Sequence, residues 1–169
     1  MDAFGIARTH VTSWKETYDG IVDRGFLEAL SVNERFDHWT RLLDEEPPPW
    51  VHVAVDSQGQ VIGFASGGPT REPWPGISGE LYAIYLDAAA HGLGIGRELV
   101  LRVTEDLMKH GITSMIVWVL EANPHRGFYE ALGADLLTQQ MIPIGGKPYR
   151  MVAYAWRDLE LAFPRARPT

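Results

Sequence analysis

Three glycines at alternate positions are the residues of this sequence that point most directly to a chemistry. Gly92, Gly94 and Gly96 follow an apolar segment that ends at Leu86, and they open a segment with helical periodicity. Glycines leave the backbone N–H groups at a helix N-terminus unobstructed, and the helix dipole there favours negative charge. Such a turn is suited to a phosphate or pyrophosphate. The sequence therefore predicts a site for a phosphorylated cofactor.

Several classes of phosphate site use glycine-rich turns. A nucleoside triphosphate loop would continue Gly-Lys-Ser/Thr, but Arg97 follows Gly96, which excludes that class. A dinucleotide site stays open as an alternative, because the segments 80–86 and 113–120 enclose a helix and end at the acidic Glu121, as in a βαβ unit. Against it, the glycines do not follow the first strand directly, and the chain after Glu121 is too short for a doubly wound sheet.

The hydrophobic pattern predicts the elements that must position this turn. It predicts helices over 5–18, 23–30, 34–44 and 94–110, a short helix from Asn123 to near Gly133, and strands over 50–55, 60–66, 79–86, 113–120, 134–142 and 149–156. The Gly- and Pro-rich stretch 67–78 predicts a surface loop. The result is one α+β domain spanning 1–169, with a parallel strand pair beside the central helix and antiparallel pairs elsewhere.

Composition excludes several function classes. The 169 residues contain no cysteine, which removes disulfides, thiolate zinc sites and a cysteine-linked acyl intermediate. The histidines show no metal-ligand spacing, so no metal is expected. A net charge of −7 argues against nucleic acid and matches a cationic acceptor in sign, although solubility accounts for it equally well. We expect no membrane partner, since no apolar run is long enough to span a bilayer, and without a signal segment we expect a cytoplasmic protein.

Two segments of the chain resemble motifs of the GNAT superfamily of N-acyltransferases. LDAAAHGLGIG, residues 86–96, resembles its acyl-CoA signature Gln/Arg-x-x-Gly-x-Gly/Ala, and NPHRGFYEALG, residues 123–133, resembles its second motif. SWKETY, residues 13–18, is similar to the first helix of one bacterial branch. Two departures stand out, because His91 replaces the Gln or Arg of the signature and Arg126 lies where a small residue is common.

The resemblance implies a fold. It is a GNAT-like mixed and mostly antiparallel central sheet, in which a central parallel pair splays apart to admit coenzyme A and about four helices flank the sheet. The family usually begins with a strand before its first helix. Residues 1–4 are too few to form one, so we expect that strand to be missing or rudimentary.

The resemblance also implies a function, the transfer of acetyl from acetyl-CoA to a primary amine by direct attack in a ternary complex. The acceptor would be a small-molecule or peptide amine, and a homodimer is compatible with the family. The backbone of Ile84, Tyr85 and Leu86 would pair with pantetheine, one N–H there polarising the thioester carbonyl. The remaining cofactor contacts would come from His91, Gly92, Leu93, Gly94, Ile95, Gly96, Arg97, Asn123 and Arg126.

Two residues are candidates for proton transfer. Glu80 stands where several members of the family keep a general base, and Tyr129 matches the general acid to the CoA sulfur; an outward-facing glutamate and a core tyrosine are the structural alternatives. Trp14, Tyr18 and Trp74 are candidates to line an acceptor pocket, although the helical spacing of Trp14 and Tyr18 also suits a core. A CoA-binding regulatory domain without turnover remains the alternative from another functional class.

Overall fold

A computed structural model describes residues 2–164 of the chain. The helices are α1 (Ala3–Thr17), α2 (Arg24–Ala29), α3 (Val32–Leu43), α4 (Ile95–Lys109), α5 (Gly127–Ala131) and α6 (Leu159–Ala162). The strands are β1 (Trp50–Val55), β2 (Val61–Trp74), β3 (Ile77–Leu86), β4 (Met115–Leu120), β5 (Asp135–Ile144) and β6 (Lys147–Trp156). A 3-10 turn, Ala88–Ala90, lies between β3 and α4.

The strands form a single sheet in the order β1-β2-β3-β4-β6-β5. Only β3 and β4 run parallel, and they pair only where Gly79–Leu81 lies beside Met115–Val117. Beyond this short ladder the two strands diverge, which confirms the predicted fold class with its splayed parallel pair. Six α-helices flank the sheet in the described part of the chain, whereas about four were expected. Two of the six, α5 and α6, are short and have only five and four residues.

Helices cover both faces of the sheet. On one face α4 places Leu99, Val103 and Leu107 in a core shared with Leu81 and Val117, as its apolar spacing predicts. On the other face α1 and α3 enclose a second cluster around Ile6, Trp39 and Phe64. Within residues 2–164 no strand precedes α1, as expected, and none of their helices is both long and apolar enough to cross a bilayer.

The loop prediction for 67–78 is wrong. β2 continues to Trp74, turns, and pairs back through Ile77 into β3. The physical reason is that β1 begins at Trp50, opposite Gly67. Beyond that point β2 pairs only with β3 and is an edge strand, which can accommodate Pro69 although proline has no N–H. The helix predicted from Asn123 is also shorter than expected, since only Gly127–Ala131 is helical.

Candidate active site

A cleft opens where β3 and β4 part. The last paired residues are Leu81 and Val117, and beyond them the strand ends enclose a cavity of about 660 Å³. Its walls come from α1, β3, the glycine turn, β4, the start of α5 and the β5–β6 hairpin. This volume lies within the range of small-molecule sites.

The free edge of β3 forms one wall of the cleft. Asp87 donates its N–H to the Ile62 carbonyl of β2 over 2.8 Å, which fixes the alternation of the strand. The N–H and C=O of Tyr85 therefore face β2, whereas those of Ile84 and Leu86 face the cleft. The expectation that all three residues offer backbone to pantetheine needs correction at Tyr85, whose backbone faces the β2 ladder.

Part of this edge already has partners. The Leu86 carbonyl accepts a hydrogen bond from Ser13 Oγ at 2.9 Å and lies 3.3 Å from His91 Nε2. The Ile84 groups and the Leu86 N–H lie beyond the end of the β3–β4 ladder. These groups are a ready hydrogen-bonding edge for an extended ligand that enters between the strands, as an added strand would.

The glycine turn lies at one end of the cleft. Gly92 and Gly94 have positive φ values of +73° and +80°, and Gly94 is the N-cap of the 15-residue helix α4. A Cβ at Gly96 would come within 3.3 Å of the Phe128 ring, so this glycine allows the helix start to pack against α5. The turn thus combines unobstructed N–H groups with the positive end of a long helix, the arrangement that binds phosphates.

Basic side chains surround this turn. Arg97 and His91 line the cavity, and the His91 ring meets the His125 ring edge-on at 4.9 Å. Partial burial, and secondly His91, lower the pKa of His125. Arg97 places a guanidinium group beside the turn. Leu93, Ile95 and Arg126 are not among the residues that line the cavity, and the Leu93 side chain is exposed.

Asn123 connects the cleft to α1. Its side-chain N–H donates to the Tyr18 hydroxyl at 2.9 Å, and its carbonyl oxygen accepts from the His125 N–H at 2.8 Å. Both polar ends of Asn123 are therefore occupied within the protein. The residue holds α1 against the turn that precedes α5, in addition to lining the cavity.

Four tyrosines line the cavity, and three of them, Tyr18, Tyr85 and Tyr129, are largely removed from solvent. Tyr129 is buried, and its hydroxyl makes no hydrogen bond to any residue between 2 and 164, whereas the hydroxyls of Tyr18 and Tyr85 accept from Asn123 and from Trp14 Nε1. Burial is the main reason that the pKa values of all three tyrosines rise above their usual range. Each therefore stays protonated at neutral pH and can donate a hydrogen bond.

Glu80 does not line the cavity. Its buried carboxylate accepts from the Arg71 backbone N–H at 3.0 Å and from Nε at 3.1 Å, and it forms a salt bridge with the same guanidinium. Arg71 also lies 4.8 Å from the centre of the Tyr82 ring, a cation–π contact. The structure thus pairs Glu80 with a cation instead of directing it into the cleft, which argues against the predicted role as general base.

The end of the cavity opposite the glycine turn is apolar. Trp14 and Tyr18 line it as predicted, whereas Trp74 does not; it packs edge-on against Trp118, with ring centres 6.2 Å apart, and Trp118 does line the cavity. Sequence reasoning missed the residues that β5 and β6 contribute, Ile142, Ile144 and Met151. No local signal marks them, because their position depends on the register of distant strands.

Comparisons with known proteins agree with this geometry. The Acetyltransferase (GNAT) family profile matches residues 12–134. An uncharacterized N-acetyltransferase of Bacillus subtilis, YuaI, is 40% identical over 159 residues, which cover 94% of this chain and 89% of that protein.

Solved structures are similar at lower identity. A phosphinothricin acetyltransferase from Sinorhizobium meliloti, solved with acetyl-CoA, has a TM-score of 0.68 at 22% identity and covers 100% of this chain and 90% of its own. The PaiA N-acetyltransferase from Thermoplasma acidophilum, solved with coenzyme A, has a TM-score of 0.67 at 21% identity, covering 89% and 91% of the two chains. At this identity the likeness concerns the fold.

Proposed function

The chain belongs to the GNAT family of acetyltransferases, and on that premise we propose that it transfers acetyl from acetyl-CoA to a primary amine by direct attack in a ternary complex. The observation that carries the proposal is the cleft itself. An unpaired strand edge, a glycine turn at a helix N-terminus and a protonated tyrosine all border one cavity. Acetyl transfer needs these three features, to hold the donor, to bind its phosphates and to stabilise its leaving group.

The residues of the cleft fit coenzyme A. The N–H groups between Gly92 and Gly96, with Leu93 and Ile95 contributing main chain only, would hold the pyrophosphate, and Arg97 would add a fixed positive charge. Pantetheine would pair with the β3 edge at Ile84 and with the Leu86 N–H. His91 and Arg126 flank this site, and Asn123 would contact the arm through the carbon atoms that its hydrogen bonds leave exposed.

Acetyl-CoA supplies an activated acetyl group as a thioester. The amine nitrogen forms the new C–N bond to the carbonyl carbon as the C–S bond breaks. The Ile84 N–H stabilises the developing charge on the carbonyl oxygen. Tyr129 donates its hydroxyl proton toward the leaving sulfur, and the proton that the amine loses reaches Tyr129 through water, so that the thiol leaves neutral and the tyrosine is restored.

Glu80 has a different role in this proposal. Its carboxylate fixes Arg71, which in turn covers the face of Tyr82 at the mouth of the cleft. The same pairing favours the second candidate function, CoA binding without turnover, since no carboxylate of residues 2–164 lines the cavity as a base. The two functions differ in a single observable, the release of CoA in the presence of an amine.

The first experiment is calorimetric titration with acetyl-CoA, CoA and NADH, followed by a thiol assay of CoA release with a panel of amines. Micromolar binding of acetyl-CoA but not of NADH, with amine-dependent CoA release, would support acetyl transfer. Binding without release by any amine would instead support the regulatory alternative. Absence of acetyl-CoA binding would refute both functions.

We also propose that the protein acts in the cytoplasm, with a homodimer as its oligomeric state. Within residues 2–164 no helix could span a membrane, which is consistent with this location. β5 is an edge strand with Leu136 and Met141 exposed, which offers a surface for a second copy. Cell fractionation and light scattering of the purified protein test these two statements.

A further inference from the structure

The acceptor end of the cavity is built from apolar and aromatic side chains. Where α1 faces the β5–β6 hairpin, the lining residues are Trp14, Tyr18, Trp118, Ile142, Ile144 and Met151. Tyr18 and Ile144 belong to a buried apolar cluster that also includes Val22 and Leu27. An acceptor that reaches the thioester from this side must therefore place its body against carbon atoms and ring faces.

No carboxylate of the described part of the chain lines this surface. Among the described residues, the titratable or charged groups of the cavity are Tyr18 from α1, Tyr82 and Tyr85 from β3, His91 from the glycine turn, Arg97 from α4, His125 before α5 and Tyr129 from α5. β4, β5 and β6 contribute none. The two histidines and Arg97 belong to the phosphate end. The titratable groups that these described residues leave at the acceptor end are therefore tyrosine hydroxyls.

The acids that neighbour the cavity residues have partners or face solvent. Asp87, which follows the cavity residue Leu86, forms a salt bridge with Arg8 at 3.2 Å. Asp23 forms a salt bridge with Lys147 at the β5–β6 hairpin, and Glu80 forms one with Arg71. Glu121 is paired with Arg150 at 3.4 Å. Glu16 and Asp19, which flank the cavity residues Thr17 and Tyr18 in the chain, are exposed and do not line the cavity.

Two consequences follow for the amine. A second ammonium group would lose its hydration at the apolar end without gaining a counter-ion, which strongly disfavours binding. Among the described residues of the acceptor end, the tyrosine hydroxyls remain protonated near neutral pH and those of Tyr18 and Tyr85 already accept hydrogen bonds, so they do not take a proton from the reacting nitrogen. The amine must then arrive as the free base.

We propose that the acceptor is a monoamine, a single primary amino group on an aromatic or branched apolar body, bound in its uncharged form. This inference rests on the proposed acetyl transfer and narrows its substrate class. It also excludes polyamines and other polycationic acceptors, which the net charge of −7 alone would have favoured.

A matched pair of amines tests the proposal on the intact protein. 4-Ethylbenzylamine and 4-(aminomethyl)benzylamine have nearly the same shape, but the second carries an additional ammonium group in place of a methyl group. We expect kcat/KM for the monoamine to exceed that for the diamine by about 100-fold or more. Calorimetry with the protein saturated in CoA should show binding of the monoamine only, which gives a readout independent of turnover.

A variant pair tests the cause of the preference. Ile142 is half-buried and lines the apolar end, so it tolerates substitution better than the buried Ile144. Ile142→Asp should raise kcat/KM for the diamine about 10-fold or more, because it supplies the missing counter-ion. The matched Ile142→Asn has nearly the same shape without the charge and should leave the diamine as poor a substrate as before.

The pH profile tests the free-base requirement. With benzylamines of different basicity, the pH at which kcat/KM reaches half its maximum should move with the pKa of the amine. A midpoint that stays fixed would reveal a base on the protein and overturn this part of the proposal.

Equal or better use of the diamine by the unmodified protein would overturn the substrate class while leaving acetyl transfer intact. Transfer to neither amine, despite transfer to other amines in the panel, would also refute the substrate class. No transfer to any amine would refute the proposed function itself.

Discussion

Replacing Gly94 by alanine separates the structural role of the glycine turn from its role in binding. Gly94 has φ +80°, and a Cβ built there meets nothing within 4 Å, so the cost of the substitution comes from the backbone alone. A left-handed conformation costs an L-residue about 1–2 kcal/mol, and we expect the free energy of unfolding to fall by that amount.

Gly111 provides a matched control at the other end of the same helix. Its φ is +76°, a Cβ there also meets open space, and its N–H together with that of Ile112 closes the helix C-terminus on Met108 and Leu107. Gly111→Ala should therefore lose a similar free energy of unfolding. Gly111 does not line the cavity, whereas Gly94 does.

The two variants should differ in acetyl-CoA affinity. Relief of the strain at Gly94 rotates the adjacent peptides, and the loss of one hydrogen bond to a charged phosphate costs about 1.5–3 kcal/mol. That loss corresponds to about 10- to 100-fold weaker binding. Urea unfolding without ligand measures the stability of each variant, and calorimetry at a temperature where both are folded measures Kd. An equal loss of affinity in both variants, or none in Gly94→Ala, would falsify the assignment of this turn as the phosphate site.

Three further predictions follow from single contacts. Tyr129→Phe should lower kcat about 100-fold in the thiol assay and leave the Kd of acetyl-CoA unchanged, because only the donor to the leaving sulfur is removed. Arg71→Ala removes the cation that is paired with the buried carboxylate of Glu80. The variant should lower the free energy of unfolding in urea by about 1–2 kcal/mol, a value that is reduced because Arg71 is itself exposed. Its kcat should stay near that of the unmodified protein. Burial raises the pKa of Asp106, but hydrogen bonds from Lys109 and His52 outweigh burial and hold that pKa below its usual value. Asp106→Asn should therefore lower the free energy of unfolding at neutral pH. The difference between the variant and the unmodified protein should disappear as the pH falls through the pKa of Asp106 in the folded protein.

Each of these predictions has an outcome that contradicts it. A Tyr129→Phe protein with unchanged kcat would show that the leaving thiolate needs no donor from α5. A large loss of kcat in Arg71→Ala at preserved stability would restore a catalytic role to Glu80 and Arg71. A constant stability difference between Asp106→Asn and the unmodified protein from neutral to strongly acidic pH would show that the carboxylate charge at Asp106 contributes nothing.

The sequence predicted those parts of the fold that depend on local pattern. The spacing of Leu99, Val103 and Leu107 defined the buried side of α4, and the glycines defined its start. The extension of β2 through 67–74 was not predicted, because the Gly and Pro residues around Pro69 are typical of a loop. Their strand conformation depends on where β1 begins and on the pairing with β3, which are properties of the sheet and not of the segment.

The same distinction applies to the site. The glycine turn is contiguous in sequence, so its position at a helix N-terminus was predictable. The position of the Glu80 side chain was not predictable, because its partner Arg71 lies across a hairpin whose sequence is typical of a loop. The apolar acceptor end was equally inaccessible, since Ile142 and Ile144 reach the cavity only through the pairing of β5 with β6.

The position of the cleft follows from the size of the residues along β3 and β4. Where the strands pair, Gly79 approaches β4 so closely that a Cβ would lie 2.6 Å from the Ser114 carbonyl oxygen. Immediately after the last pair, Tyr82 and Trp118 bring large rings to the two strands, and both line the cavity. Tyr82 is held on the β2 side by a 2.6 Å hydrogen bond to the Pro69 carbonyl, whereas β4 stays paired with β6 up to Leu120. Each strand is thus fixed to its own half of the sheet, β3 to β2 and β4 to β6, and this pairing keeps the two strands apart beyond Leu81 and Val117.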